Sequence, residues 1–161
     1  MAVETIVANL ANGTILAAIG AGLAVGLPGL GSAIGSGLGG AAASGVIAEK
    51  PQEFVHGVIF AALPQTAVIL GFVIAIMIVG KITMGMAIMD GAWCLGAGIA
   101  VGIAGLTPIG QGPVAAAGVG STARSPSTFV QNIIFTALPD ISVVLGFVIA
   151  FMMVSKVAAG A

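Results

Sequence analysis

The chain of 161 residues is 59% hydrophobic and 6% charged, and its formal net charge is −1. Soluble globular domains carry about 25% charged residues, so this composition excludes a soluble fold and indicates an integral membrane protein. The few charged residues form no basic patch for nucleic acid, and one cysteine with one histidine excludes an intramolecular disulfide and argues against a Cys/His metal cage.

Short polar segments divide the sequence into four long apolar stretches. These segments are Ala48–Glu53, Lys81–Thr83 with Asp90, and Ser121–Thr128. We therefore predict helices at residues 12–47, 53–80, 86–122 and 127–157. Each is longer than the roughly 20 residues that cross a bilayer core, and none alternates polar and apolar residues as barrel strands do. The predicted fold is all-α, with four transmembrane helices.

The first and third predicted helices are rich in glycine and alanine, whereas the second and fourth carry larger apolar side chains. Small residues at four-residue spacing let helix backbones approach closely inside a membrane. The glycines with this spacing are Gly22 and Gly26, Gly31, Gly35 and Gly39, and Gly98 and Gly102. We predict that the first and third helices form a tightly packed inner layer and that the other two face lipid.

The second half of the chain repeats the first. Residues 54–79 and 129–154 align at an offset of 75 and are identical at 16 of 26 positions. The glycine-rich helices also match, since IGAGLAVG at 19–26 corresponds to LGAGIAVG at 95–102. We infer two tandem duplicated helical hairpins, residues 1–81 and 82–161, which run in the same order and form a parallel repeat.

Asp140 lies within the apolar sequence of the fourth predicted helix, directly after Pro139, and Gln65 follows Pro64 at the equivalent position of the second. A charged side chain at the bilayer centre costs about 2.5–3.5 kcal/mol on insertion scales, so carboxylates at this depth are usually functional. Each proline removes a backbone donor and kinks the helix, which frees carbonyl oxygens beside the polar side chain. This combination indicates an ion or proton carrier.

Residue counts from the loops predict which polar side chains share one depth. Gln111 and Asp140 lie 15 and 14 residues from Pro126, or roughly 20 Å along a helix. Ser36 and Gln65 have the same relation in the first hairpin. Burial disfavours the charged form of a carboxyl group. Asp140 is then either an ion carrier or a structural carboxyl group that is hydrogen-bonded to Gln111.

Across essentially its whole length the sequence resembles the membrane rotor subunit, the c or K proteolipid, of V-type and A-type rotary ATPases. The resemblance rests on the duplicated hairpin, the glycine-rich helices, the loops AEKPQEF and ARSPSTF, and the ALPxxxxxLGFVIA outer helices, of which only the fourth carries a carboxylate. It implies a homo-oligomeric ring with the first and third helices inside. The chain would be no enzyme on its own, and would lie in a prokaryotic plasma membrane in preference to a vacuolar one.

The resemblance also implies a mechanism. Asp140 takes an ion from a half-channel, carries it around the ring and releases it near an essential arginine of a stator membrane subunit. Central stalk subunits contact the loops that hold Lys50 and Arg124, and lipid surrounds the ring. The reaction with ATP belongs to other subunits, and neither a cofactor nor nucleic acid is implied.

The transported ion remains open between Na+ and H+. Sodium-binding members of the family use a carboxylate, two glutamines, a threonine and a backbone carbonyl group. The matching positions are Asp140, Gln111, Ala67, Thr66 and Leu63, with Gln65 as a further candidate donor. Four oxygens in this set favour Na+. The alanine and the short aspartate favour H+, because proton transfer needs only a carboxyl group.

Two other classes of protein contain intramembrane carboxylates. A stand-alone small multi-span ion transporter or channel would use Asp140 as a counter-ion and would line a path with polar residues, whereas here they form one belt at one depth. A purely structural membrane scaffold would keep all its activity after Asp140→Asn.

Overall fold

The computed structural model describes residues 12–157, and within that range it contains helices, turns and loops but no β-strand. The helices are α1 (Gly13–Glu49), α2 (Phe54–Ala62), α3 (Thr66–Val79), α4 (Ile88–Ala104), α5 (Pro108–Arg124), α6 (Phe129–Ala137) and α7 (Asp140–Ser155). They form four spans, Gly13–Glu49, Pro51–Val79, Ile88–Arg124 and Pro126–Ser155, each long and apolar enough to cross a membrane. The all-α prediction with four spans is confirmed. Residues 1–11 and 158–161 of the predicted hairpins lie outside the described range.

Three of the four spans are interrupted, although each was predicted as one helix. Pro64 lies in the short 3-10 turn Leu63–Gln65, and Pro139 lies in the turn that separates α6 from α7. These two breaks are the kinks that the prolines predict. The break between α4 and α5 was not predicted. There Pro108 has no backbone N–H group, and the amide of Thr107 donates to Ala104 at 3.3 Å instead.

The first and third spans pack backbone to backbone through paired glycines. Gly20 faces Gly98, and Gly35 faces Gly112. A methyl group added at Gly98 would overlap the backbone of Gly20, so the contact depends on the absence of a side chain. Such close approach supplies the van der Waals packing that associates helices in lipid. The predicted close packing of these two spans is therefore confirmed, and Gly31, Gly35 and Gly102 lie in the contact. Gly22 and Gly26 do not, because a methyl group added at either would meet no neighbour within 4 Å.

The second and fourth spans pack against this glycine-packed pair and expose large apolar side chains. On α3 and α7 these are Ile69, Phe72, Val73, Ile76, Val79, Ile141, Val144, Leu145, Val148, Ile149, Phe151 and Met152. The two helices also contact each other. An apolar surface of this kind suits contact with lipid acyl chains.

Two lysines connect the hairpins at opposite ends of the bundle. Lys50, which follows α1, donates from Nζ to the carbonyl oxygen of Ala123 at 2.6 Å. Lys81, which follows the second span, donates to the carbonyl oxygen of Val157 at 2.9 Å. Both acceptors lie near helix C-termini, where carbonyl groups lack intrahelical partners. These bonds fix the height of one hairpin against the other.

Candidate functional site

The breaks in the second and fourth spans bring Thr66 and Asp140 to one place. Thr66 is the first residue of α3, and Asp140 is the first residue of α7. Both line an open pocket of about 350 Å³ between these helices. Its other lining residues are apolar: Ile69, Leu70, Val143 and Val144. The pocket is therefore a cleft in which a hydroxyl group and a carboxyl group are surrounded by hydrocarbon.

Asp140 is half-buried, and the side chains of Thr66 and Gln111 lie beside its carboxyl group. Its Oδ1 accepts no hydrogen bond from the described residues. The ion pair found in the described range joins His56 to Glu53 and does not involve Asp140. The described residues also contain no cluster of three or more His, Cys, Asp or Glu side chains that could hold a metal ion. This carboxyl group is thus isolated from other charged groups.

Gln111 lies on α5 and is completely buried. Its Nε2 donates to the carbonyl oxygen of Thr136 at 2.6 Å. Because a carbonyl oxygen can only accept, the NH2 group must be the end that points to Thr136. The Oε1 atom of Gln111 accepts no hydrogen bond within residues 12–157. The amide therefore keeps a buried oxygen atom without a partner at the depth of Asp140.

Leu63 and Thr66 are hydrogen-bonded to each other across the turn that breaks the second span. The hydroxyl group of Thr66 donates to the carbonyl oxygen of Leu63 at 3.2 Å. The two oxygen atoms therefore lie together, as they must if both bind one ion. Ala67, at the position where the resemblance implies a glutamine ligand, is buried and contributes only a methyl group.

Gln65 points elsewhere. Its Nε2 donates to the hydroxyl group of Ser36 on α1 at 2.7 Å, which is the pair that counting from the loops predicts. Gln65 does not line the pocket beside Asp140. The structure thus brings Asp140, Gln111 and Thr66 together and directs Gln65 toward the first span.

Two residues near this site were missed by sequence reasoning. Thr136 supplies the carbonyl group that holds Gln111, and the hydroxyl group of Thr136 donates to the carbonyl oxygen of Asn132 at 2.7 Å. A signal for them exists, because Asn132, Thr136 and Asp140 are spaced by four residues and share one face of the fourth span. The first hairpin has Gly57 and Ala61 at the equivalent positions.

Comparison with known proteins identifies a family that matches both halves of the chain. The ATP synthase C-subunit family matches the chain twice, over residues 19–78 and 82–153. The chain is 44% identical over 147 residues to the A-type ATP synthase subunit K of Methanocaldococcus jannaschii, an alignment that covers 91% of this chain and 64% of that protein. The chain thus spans less than two thirds of that relative's length.

Two further relatives are covered almost completely. The V-type sodium ATPase subunit K of Enterococcus hirae is 36% identical over 143 residues, which is 88% of this chain and 92% of that protein. The 16 kDa proteolipid of the human V-type proton ATPase is 26% identical over 144 residues, or 89% and 93% of the two chains. These relatives are named as subunits of larger ATPases. With both halves of its four-span fold matched, the chain belongs to the ATP synthase C-subunit family.

Proposed function

We propose that this chain is the ion-carrying rotor ring subunit of a V/A-type rotary ATPase. Asp140 carries Na+ or H+ across the membrane, and ATP is hydrolysed or synthesised in other subunits. The observation that carries this proposal is the isolated, half-buried carboxyl group of Asp140, which opens onto an apolar cleft and has no basic partner in the described range. Intramembrane carboxylates in such surroundings mark ion and proton pathways.

The cleft explains how one carboxyl group can both hold and release an ion. While Asp140 faces lipid, its charge must be neutralised by a proton or a cation, because the hydrocarbon lining solvates no charge. When the rotating ring brings it to a stator subunit, an essential arginine there replaces the ion. Each charge moved through 100 mV is worth about 2.3 kcal/mol, so several ions must be moved for each ATP.

For the ion we favour Na+, bound by Asp140, Gln111, Thr66 and Leu63. The amide of Gln111 supports this choice, because it lies beside Asp140 and its Oε1 atom accepts no hydrogen bond from the described residues. Hard cations prefer such carboxylate, amide, hydroxyl and carbonyl oxygens. Gln65 is left out of the set, because its side chain is directed toward Ser36 on the first span, whereas Gln111 lies beside Asp140.

The partners follow from the same proposal. Copies of this chain form a homo-oligomeric ring in lipid, next to the stator. Central stalk subunits dock at the loop end, where Arg124 is exposed and Lys50, Glu49 and Arg124 line a second pocket of about 350 Å³. The archaeal and bacterial relatives support a prokaryotic plasma membrane as the location.

Carbodiimide labelling tests the proposal, because the reagent modifies protonated carboxyl groups in apolar surroundings. The purified protein is labelled at neutral pH with and without NaCl, using KCl at the same ionic strength as the control. We expect one modified residue per chain, at Asp140, and slower modification in NaCl. Equal rates in the two salts would leave H+ as the ion. A protein that carries no label at Asp140, or runs as a monomer in mild detergent, would overturn the rotor proposal.

A further inference from the structure

A series of hydrogen bonds runs from Gln111 toward the loop end of the molecule, along the contact between α5 and α6. Gln111 donates to the carbonyl oxygen of Thr136 at 2.6 Å, and the hydroxyl group of Thr136 donates to the carbonyl oxygen of Asn132 at 2.7 Å. Nδ2 of Asn132 then reaches Oγ1 of Thr128 at 3.1 Å and Oγ1 of Thr122 at 3.4 Å. We call these five residues the polar ladder.

Because the polar ladder is buried, its hydrogen bonds restrict the movement of α6 against α5. Gln111, Thr122 and Thr136 are each 0% exposed. A buried polar group that gives up its hydrogen bond in an apolar environment loses several kcal/mol, with no water to replace the partner. The ladder therefore limits rotation and sliding of α6 against α5. Because the Thr136 carbonyl group moves with α6, its position relative to Gln111 is limited as well.

The ladder is confined to the hairpin that contains the carboxylate. At the positions of Asn132 and Thr136 the first hairpin has Gly57 and Ala61. A side chain at Gly57 would collide with Ala43, so the two helices of that hairpin pack directly against each other there. The first hairpin therefore shows that two such helices can pack without the ladder. Helix packing alone does not explain why the second hairpin contains it.

We propose that Asn132 and Thr136 are positioning residues for the ion site. They hold α6 at the height and rotation at which the Thr136 carbonyl group captures the NH2 end of Gln111. The amide is thereby fixed beside Asp140, with an Oε1 atom that accepts no hydrogen bond from residues 12–157. This inference rests on the proposed role of Asp140 as the ion carrier. It adds two residues that touch neither the ion nor Asp140 but set the affinity of the site.

The test compares four variants of the assembled protein by the NaCl concentration that halves the rate of carbodiimide labelling at Asp140. Asn132→Ala and Thr136→Val remove ladder bonds, whereas Thr136→Ser retains its hydroxyl group. Ser36→Ala removes a hydrogen bond of similar depth in the first hairpin. We expect the first two to raise the half-protecting concentration roughly three- to ten-fold, the value of one hydrogen bond. Thr136→Ser and Ser36→Ala should match the wild type.

Unchanged protection in Asn132→Ala and Thr136→Val would overturn the inference, and so would an equal loss in Ser36→Ala. If one of the ladder variants fails to assemble, Thr136→Ala replaces it, because the first hairpin already folds with alanine at the equivalent position. If NaCl does not protect the wild type, the sodium assignment fails and the rate of labelling at one fixed pH decides. A rate that changes in Asn132→Ala and Thr136→Val but not in Thr136→Ser supports the ladder's role, and a rate that stays the same in all of them refutes it.

Discussion

The two hairpins of this molecule share one backbone arrangement but differ in the polar residues at the depth of the proline kink. In both, the second helix breaks at a proline, and a polar residue follows that proline. In the first hairpin this residue is Gln65, which is satisfied by a hydrogen bond to Ser36. In the second it is Asp140. Its neighbour Gln111 donates a hydrogen bond to the carbonyl oxygen of Thr136. Under the proposed function, the kink alone does not make an ion site. A carboxyl group with oxygen-bearing side chains beside it is needed as well.

Removal of the carboxyl group from the second hairpin has the largest expected effect on ion transport. Asp140→Asn makes the second hairpin resemble the first, because a neutral amide then follows each proline. We expect carbodiimide labelling and ion transport to disappear completely while the ring still assembles, since Asn has nearly the same volume. Ion uptake by reconstituted vesicles measures the loss. Transport at the wild-type rate would instead identify Asp140 as a structural carboxyl group.

Loss of the Thr66 hydroxyl group has the next largest effect. Thr66→Val keeps the side-chain shape but removes one of the proposed oxygen ligands beside Asp140. We expect the half-protecting NaCl concentration to rise roughly ten- to one-hundred-fold, since a hydrogen bond or ligand to a charged group is worth about 1.5–3 kcal/mol. Thr66→Ser is the matched control and should retain protection. An unchanged NaCl response in Thr66→Val would remove Thr66 from the site and favour H+ as the ion.

A carboxyl group added to the first hairpin sharpens the comparison further. Gln65→Asp places an acid after both prolines, and the second acid faces Ser36 instead of an oriented amide. We expect about two labelled carboxyl groups per chain at low pH, of which NaCl protects only Asp140. Peptide mass spectrometry separates the two sites, and Gln65→Asn is the control that adds no label. Equal protection at both sites would mean that the carboxyl group alone determines sodium binding.

Most of the fold could be predicted from the sequence because membrane spans and close helix packing leave strong local patterns. The glycine spacing predicted the contact of the first and third spans, and the positions of Pro64 and Pro139 predicted two of the three breaks. The third break could not be predicted in this way. Pro28 lies inside the continuous helix α1, whereas Pro108 begins a new helix, and both occur in glycine-rich sequence. The residue type alone therefore does not distinguish the two outcomes.

The candidate site was predictable only in part. Depth counting paired Ser36 with Gln65 and placed Gln111 beside Asp140, because two helices joined by a short loop stay in register. The role of Thr136 could not be found by such counting. Its contact with Gln111 is made by a backbone carbonyl group, which every residue has, so the residue type carries no signal for that bond. Only the hydroxyl group and the four-residue spacing to Asn132 distinguish it.

The neutral pair of the first hairpin has the smallest expected effect. Ser36→Ala and Gln65→Leu each remove the 2.7 Å hydrogen bond between the first and second spans. In a double-mutant cycle we expect a coupling of about 0.6 kcal/mol in the free energy of unfolding, the average for hydrogen bonds between membrane helices. Unfolding in SDS measures it, and the NaCl response of Asp140 should remain unchanged in all three variants. A change in that response would mean that the two polar layers are coupled through the glycine-packed pair of spans. The first hairpin would then contribute to ion binding, and its neutral layer would not be a purely structural counterpart of the second.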